Sequence, residues 1–238
     1  MNQFEMTPSS AFETSTVRTA ERVTSFLKAV YGWMFVGLAT TAVVAVAVVA
    51  SGYAPVLARN PLIFFGLVIG ELGLVFGLSA RVNRMSAGTA SILFLVYSVL
   101  NGATLSLIFL RFTGASIATT FVITAGMFGA LALFGATTKR SLAGVGHFVG
   151  MGLIGLILAM LVGFFWHSDG LQFVISIVGV IVFTGLTAWD SQRLKQMATA
   201  LPDGQVGSYA VVGALSLYLD FINLFLFLLR FFGGGRRD

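Results

Sequence analysis

The chain has 238 residues, of which 57% are hydrophobic and only 10% are charged, and its mean hydropathy is +0.95. In a soluble domain about a quarter of the residues are charged, so this composition excludes an ordinary water-soluble domain. Cysteine is absent, which excludes disulfides and thiolate metal sites. The formal net charge of +5 does not indicate a nucleic-acid partner, because the few basic residues lie between apolar stretches, as in membrane proteins.

A polar segment rich in Ser and Thr precedes the first apolar stretch. Residues 1–24 predict a flexible cytoplasmic N-terminal tail, with helix where the tail nears the membrane. The segment lacks the short apolar core of a signal peptide, so we expect no cleavage. The remaining residues, 25–238, predict a single seven-helix transmembrane domain.

Seven apolar segments follow, each close to the roughly 20 residues that a helix needs to cross a bilayer. They cover approximately residues 29–50, 62–80, 89–110, 116–136, 145–166, 171–189 and 208–230. The longest interior loop is expected at 191–207, where the turn signal Pro-Asp-Gly occurs. The sequence therefore predicts an all-α membrane protein with seven transmembrane helices.

The distribution of Lys and Arg predicts the orientation in the membrane. Nine basic residues fall on the side of the N-terminus, namely Arg18, Arg22, Lys28, Arg81, Arg84, Lys139, Arg140, Arg193 and Lys195. Only Arg59 and Arg111 fall in the opposite loops. Since basic loops stay in the cytoplasm, we expect the N-terminus inside and, after seven crossings, the C-terminus outside. Arginines near the C-terminus oppose this assignment, and re-entry of the last segment without crossing is the alternative.

Small residues indicate where helices pack closely. Three Gly-x-x-x-Gly patterns occur, namely Gly66 with Gly70, Gly73 with Gly77, and Gly146 with Gly150. The stretch AGMFGA at 125–130 is of the same kind. Such ridges let helix backbones approach each other, so we expect tight packing there, with hinging as the less favoured alternative.

Three acids lie in or at the ends of apolar segments. Glu71 stands about ten residues into the second segment, Asp190 closes the sixth, and Asp220 lies about 18 Å into the seventh, near mid-membrane. A carboxylate at that depth costs about 2.5–3.5 kcal/mol on insertion scales, so it should face the bundle interior and find partners. Asp220 is therefore a functional candidate. Asp190 alone could be a solvated helix boundary, and Glu71 could be a buried acid kept neutral.

Three stretches resemble signatures of one family. They are ALSLYLDFINLFLFLLRFFG at 214–233, GLTAWDSQRLK at 185–195 and ITAGMFGALALFGATTKR at 123–140. They resemble the Bax inhibitor-1 family, also called the transmembrane Bax-inhibitor-motif family, in its bacterial YbhL- and YetJ-like inner-membrane branch. The resemblance runs from about Phe26 to the C-terminus. It implies a seven-helix bundle in which the last helix is central, surrounded by the other six.

The resemblance also implies a function and a set of residues. A bacterial member of the family is a pH-sensitive calcium leak channel whose sensor is a pair of aspartates linked to an arginine. By motif, the pair is Asp190 and Asp220, and Glu71, which falls at the acid of the second helix, joins them as a candidate for the pH sensor and ion pathway. The latch arginine would be Arg81 or Arg84. A further counter-charge candidate, Arg230, matches the late arginine of the last helix.

The pair suggests a mechanism, which is a hypothesis at this point. A proton shared between two close carboxylates would tie two helices together, and an arginine within reach would clamp the charged pair. A change of pH, or calcium binding, would then shift a two-state arrangement of helices. Calcium would be the transported ion, bound transiently by Asp190 and Asp220, and we expect no cofactor. Protonation removes calcium ligands but also releases the arginine, so the pair is compatible with either direction of gating. Helix counting alone places the two aspartates at different depths.

Other functional classes stay open. A proton-coupled cation exchanger would use the same carboxylates, and an interaction protein that modulates a membrane-bound protease would use the tail. An intramembrane aspartyl protease is disfavoured, because the contexts AWD and YLD lack its glycines, so we expect no enzyme activity. The expected partners are the lipid bilayer, calcium and protons, in a bacterial inner membrane.

Overall fold

The structure is a computed structural model that describes residues 8–166, 168–202 and 205–233, with side chains from residue 19 onward. In these ranges it contains helices and no strand. The helices are α1 (Pro8–Ala50), α2 (Ala54–Arg59), α3 (Pro61–Arg81), α4 (Ala87–Leu105), α5 (Gly114–Thr137), α6 (Ala143–Phe165), α7 (Asp169–Ala200) and α8 (Val206–Phe232). All except the short α2 are long and apolar enough to cross a membrane, which confirms the predicted all-α fold with seven spanning helices.

The spanning helices run between two ends of the bundle. We call the end at which α1, α4, α6 and α8 begin the proximal end, and the end at which α3, α5 and α7 begin the distal end. Hydrogen bonds join elements at each end: the Tyr209 hydroxyl donates to Asn83 at the proximal end, and Arg230 donates to Gln172 at the distal end. The positive-inside rule predicts that the proximal end is cytoplasmic.

Two predicted boundaries differ from the structure. Residues 8–24, which belong to the predicted flexible tail, form the first turns of α1, whereas residues 1–7 lie outside the described part. The loop predicted at 191–207 is wrong for residues 191–200, which continue α7. The helix continues because apolar residues at helical spacing, Leu194 and Ala198, stay buried against the bundle although the surrounding sequence is polar. Of the predicted turn, residues 203 and 204 lie outside the described part.

Side-chain hydrogen bonds fasten this extension of α7 to its neighbours. Gln192 accepts a bond from the Leu142 backbone N–H and donates one to the Arg140 carbonyl, each at 2.8 Å. The Lys195 ammonium donates to the Ala136 carbonyl, near the end of α5, at 2.7 Å. The proximal part of α7 is thus held to α5 and to the turn between α5 and α6.

The last helix is central in the bundle, as predicted. In an apolar 18-residue stretch of α8, 72% of the stretch is buried inside the bundle. In the corresponding stretches of the other spanning helices the buried share is 6–44%. Helix α8 packs on α1, α4, α5 and α7 and touches α3, while α6 packs mainly on α7. Aromatic rings fill these contacts: Tyr218 lies between Phe94 and Tyr97, and Phe221 packs against Phe128 of α5.

One gap interrupts the ring around α8. Helices α1 and α5 scarcely pack on each other, and an apolar cavity of about 610 Å³ lies between them, with Phe221 of α8 in its wall. We call this cavity the seam between α1 and α5. The central helix is therefore not fully enclosed by protein on that side.

Most of the glycine ridges predicted from sequence are not packing sites, and that prediction is wrong for them. A methyl group built on Gly66, Gly73 or Gly77 would meet only open space, because α3 is peripheral and these positions face away from its neighbours. Backbones instead approach at Gly135, where a methyl group would collide with the Ala188 carbonyl of α7. Of the predicted pairs, Gly146 does pack tightly, against the Trp189 ring.

Candidate functional site: an aspartate pair beside a polar cavity

The two predicted aspartates meet between α7 and α8. Asp220 is 5% exposed, and the carboxyl groups of Asp190 and Asp220 lie close enough for their charges to interact. The Oδ2 atom of Asp220 is buried and has no hydrogen-bond partner in the described part of the chain. A buried carboxylate oxygen without a partner costs free energy, so its presence needs an explanation beyond packing.

The length of α7 explains why the two aspartates meet. Asp190 lies ten residues before Ala200, about 15 Å from the proximal end of α7, and Asp220 lies fourteen residues after Val206, about 21 Å into α8. A short connection joins these helix ends, so the two heights differ by only about one helical turn. The mismatch in depth that helix counting suggested arose because α7 was expected to end at Asp190.

A polar cavity leads from the proximal end towards the pair. It has a volume of about 350 Å³ and lies between the end of α3, the proximal part of α7 and the start of α8. Its polar lining residues are Ser79, Asp190, Arg193, Tyr209 and Ser216. Asp220 follows Ser216 by one helical turn on the same face of α8, so the cavity ends one turn short of the unpartnered carboxylate. We call this space the proximal cavity.

The positive charge nearest the pair is Arg193, which the sequence analysis did not select. It lies three residues after Asp190 on α7, its charge acts on the Asp190 carboxyl, and it lines the proximal cavity. Its guanidinium lies 5.4 Å from the centre of the Trp189 ring, which in turn packs on Gly146. The signal in the sequence was the spacing of i and i+3 in Asp-Ser-Gln-Arg, which places both groups on one helix surface.

The predicted arginines lie elsewhere. Arg81 ends α3 and Arg84 follows in a 3-10 turn; both are exposed, and among the described residues no carboxylate lies within ion-pair distance of either. Arg230 lies ten residues beyond Asp220, about 15 Å towards the distal end, where it donates to Gln172 Oε1 at 3.2 Å. The structure therefore brings none of the three to the aspartate pair.

Glu71 belongs to a different group of polar side chains. Its two carboxylate oxygens accept hydrogen bonds from the Thr104 hydroxyl at 2.6 Å and from Asn101 Nδ2 at 3.1 Å. Asn101 Oδ1 accepts from the Tyr218 hydroxyl at 2.9 Å, and Tyr218 lies 2.6 Å from the Thr41 hydroxyl. We call these five residues the Glu71 network, and it links α3, α4, α8 and α1.

The Glu71 network and the aspartate pair use opposite faces of α8. Tyr218 and Asp220 are two residues apart, which separates their side chains by about 200° around the helix. Asn101, Thr104 and Tyr218 were not predicted from the sequence. Their signal was the presence of polar side chains in apolar segments, which is costly in a membrane unless partners exist.

The residues present can contribute to a calcium path but cannot enclose a calcium ion. No group of three or more His, Cys, Asp and Glu side chains suited to a metal occurs in the described ranges. Calcium takes six to eight oxygen ligands, and the pair with the Ser216 and Ser79 hydroxyls of the proximal cavity reaches six only if both carboxylates bind through both oxygens. An ion at the pair would keep part of its water shell, as a passing ion does.

Comparison with known proteins identifies the family. Residues 23–237 match the family described as "Inhibitor of apoptosis-promoting Bax1". The chain is 48% identical over 226 residues to "Inner membrane protein YbhL" of Escherichia coli K12, covering 93% of this chain and 97% of that protein. A protein of Borreliella burgdorferi is 45% identical, covering 90% of this chain and 93% of its own length. A protein of Rickettsia prowazekii is 42% identical, covering 92% of this chain and 92% of its own length. The chain is thus a member of the Bax inhibitor family of membrane proteins.

Proposed function

We propose that the protein is a pH-sensitive calcium leak channel of a bacterial inner membrane, in which Asp190 and Asp220 bind the proton that controls conduction. The observation that carries this proposal is the buried, unpartnered Oδ2 atom of Asp220 beside a second carboxylate at the end of a polar cavity. The inner membrane is the location named for the Escherichia coli relative.

The pair has the electrostatics that a proton sensor needs. When both carboxylates are ionised they repel each other, and Asp220 Oδ2 lacks a donor. One proton shared by the pair removes a negative charge and supplies the missing donor. Protonation therefore stabilises the contact between α7 and α8 at the aspartate pair. Loss of the proton restores the repulsion between the carboxylates, and with Arg193 on the cavity side this favours separation of the two helices.

Apolar packing closes the path on the distal side of the pair. The Phe227 ring of α8 fits against Gly179 of α7 and stacks on Phe183, with 5.8 Å between ring centres. Leu224 and Leu228 lie buried in the same contact. An apolar constriction excludes a hydrated cation, so conduction requires that α7 and α8 separate at Phe227.

Calcium flux into liposomes tests the proposal. Purified protein would be reconstituted with a calcium dye inside, and influx measured from pH 5.5 to 8.5. We expect influx to depend on pH in the wild type, and the dependence to flatten in Asp190→Asn and in Asp220→Asn. Asp169→Asn is the matched control, since it removes an exposed acid at the distal start of the same helix. Equal pH dependence in all four proteins would refute the assignment of the sensor.

A proton-coupled exchanger is the second candidate. It is supported by the proximal cavity, which approaches the pair from one end while Phe227 closes the other, as expected of one state in an alternating cycle. Imposing a proton gradient separates the two functions, because an exchanger moves calcium against its own gradient and a leak channel does not. Absence of flux at every pH would favour the interaction protein, which deletion of residues 2–22 would test.

A further inference from the structure

We propose that a second cavity, at the distal end of the bundle, binds an anionic phosphate group at the membrane surface. This cavity has a volume of about 560 Å³. Its polar lining comprises Arg111, Ser168, Asp169, Gln172 and Arg230. We call it the distal cavity. The proposal does not depend on calcium conduction, because Arg230 lies about 15 Å from Asp220 along α8.

Four elements bring these groups together. Arg111 follows the 3-10 turn after α4, Ser168 and Asp169 start α7, Gln172 lies one turn later, and Arg230 lies in the last turn of α8. Gly163 of α6 leaves room for the Gln172 amide, since a methyl group there would lie 3.0 Å from Gln172 Nε2. The arrangement therefore depends on tertiary packing and is not the property of one helix end.

The charges in the distal cavity are unbalanced. Arg111 and Arg230 lie near enough to repel each other, and within the described ranges neither has a carboxylate at ion-pair distance. With Asp169 included, the described lining carries a formal charge of +1. A phosphodiester carries one negative charge and would cancel it, and a phosphate oxygen placed between the guanidiniums would offset their repulsion.

The available donors suit phosphate. Arg230 Nη1 donates to Gln172 Oε1, which fixes the direction of the guanidinium and leaves its other N–H groups for a ligand. The planar fork of arginine matches the geometry of phosphate oxygens, and two such groups facing one space form charge-assisted hydrogen bonds on both sides of it. The Asp169 carboxylate would accept a bond from a hydroxylated headgroup such as glycerol.

The height of the distal cavity points to a lipid as the source of the phosphate. Exposed aromatic side chains surround it at the distal helix ends: Trp166 is 74% exposed, Phe165 83% and Phe232 61%. Aromatic residues at the ends of spanning helices mark the level of the lipid headgroups. A phosphodiester at that level reaches the arginines directly from the bilayer, without entering the core of the bundle.

Thermal unfolding of the full-length protein in detergent tests the proposal. The additives would be phosphatidylglycerol, zwitterionic phosphatidylcholine and inorganic phosphate. The test variant is Arg111→Gln with Arg230→Gln, and the matched control is Arg81→Gln with Arg84→Gln, which removes the same charge at the proximal end. We expect phosphatidylglycerol to stabilise the wild type and the control more than phosphatidylcholine does. In the test variant we expect the apparent affinity to fall at least about tenfold.

Each outcome bears on the proposal. Stabilisation of the wild type by both phosphatidylglycerol and inorganic phosphate would support a site for free phosphate, and stabilisation by phosphatidylglycerol alone would support a lipid headgroup site. Equal effects of phosphatidylglycerol and phosphatidylcholine on the wild type, or the same loss in both variants, would overturn the proposal. If the test variant does not fold, Arg111→Lys with Arg230→Lys keeps the charge. It should bind phosphatidylglycerol more weakly than the wild type but still better than phosphatidylcholine, and no preference would overturn the proposal.

Discussion

Glu71 and Asp220 are both acids within the spanning helices, yet their surroundings differ. Both carboxylate oxygens of Glu71 accept hydrogen bonds, from Thr104 and Asn101, whereas one oxygen of Asp220 has no partner in the described part of the chain. Glu71 belongs to a network that joins four helices, whereas Asp220 faces one other acid beside a polar cavity. Two acids within spanning helices can thus differ in how completely they are hydrogen-bonded, and we expect the less completely bonded one, Asp220, to respond to pH.

The partners of Glu71 also suit either protonation state. When Glu71 is ionised, Thr104 donates to it; when Glu71 is protonated, the Thr104 hydroxyl can turn to the Leu100 carbonyl, 3.2 Å away, and accept from Glu71. Asp220 Oδ2 has no such partner in the described part of the chain, and a proton or a cation taken up by the pair would supply one. We therefore expect pH to act on the fold and on conduction mainly through the aspartate pair.

The largest expected effect follows from neutralising each acid in turn. Asp220→Asn should reduce the ratio of calcium influx between the extremes of the pH range at least about tenfold, which corresponds to about 1.4 kcal/mol. Glu71→Gln should leave that ratio within about a factor of two, because Gln keeps an oxygen that accepts hydrogen bonds. Calcium influx into liposomes measures both. A flattened response in Glu71→Gln would place Glu71 in the sensor together with the aspartate pair.

Truncation of Glu71 should be the more damaging change for stability. Glu71→Ala leaves the Asn101 amide donor without its acceptor inside the bundle, at a cost of about 1–3 kcal/mol, whereas the Thr104 hydroxyl keeps the Leu100 carbonyl. Asp220→Asn should cost less than this, or stabilise, because it removes a charge that has no complete set of partners. Midpoints of thermal unfolding in one detergent would compare them, and a larger loss for Asp220→Asn would contradict the comparison.

A substitution at Gly146, which packs on Trp189 next to Asp190, should change the pH response of the aspartate pair and leave the Glu71 network unchanged. In Gly146→Ala the new methyl group would displace the Trp189 ring, against which Arg193 is held, at a cost of about 1–3 kcal/mol. The pH response of calcium influx should shift, since Arg193 acts on Asp190. Gly150→Ala is the control, because nothing lies within 4 Å of the added methyl group. Equal behaviour of the two variants would show that Trp189 does not position Arg193.

The smallest effect is expected at the Tyr218 hydroxyl. Tyr218→Phe removes the bonds to Asn101 and Thr41 but keeps the ring between Phe94 and Tyr97. Interhelical hydrogen bonds in membrane proteins contribute about 0.6 kcal/mol on average, so a loss of about 0.5–1.5 kcal/mol is expected. The pH dependence of influx should not change. A changed pH dependence would show that the Glu71 network and the aspartate pair are coupled through α8.

Parts of this molecule could be predicted from sequence because they depend on local composition. The seven spans follow from apolar segments of the right length, and the motif around Asp190 and Asp220 indicated the pair. The extension of α7 was missed because its polar stretch resembles a loop, although Leu194 and Ala198 keep the helical spacing. The position of Arg193 beside the pair was not predicted because an arginine from another helix was expected. The prediction of close packing at the glycine ridges of α3 was wrong, because a pattern within one helix does not tell which face of that helix meets a neighbour.

The fastening of α7 by Gln192 and Lys195 has a consequence for how the bundle can move. Because these side chains tie the proximal part of α7 to α5 and to the turn before α6, we expect the three helices to move together as one unit. A separation of α7 from α8 at the aspartate pair is then a displacement of that unit against α8 with α1 and α4. The seam between α1 and α5 is the boundary of the two units on the other side, and it is poorly filled. Widening the seam breaks few contacts between α1 and α5, so the resistance to such a movement comes from the packing of α5 and α7 on α8.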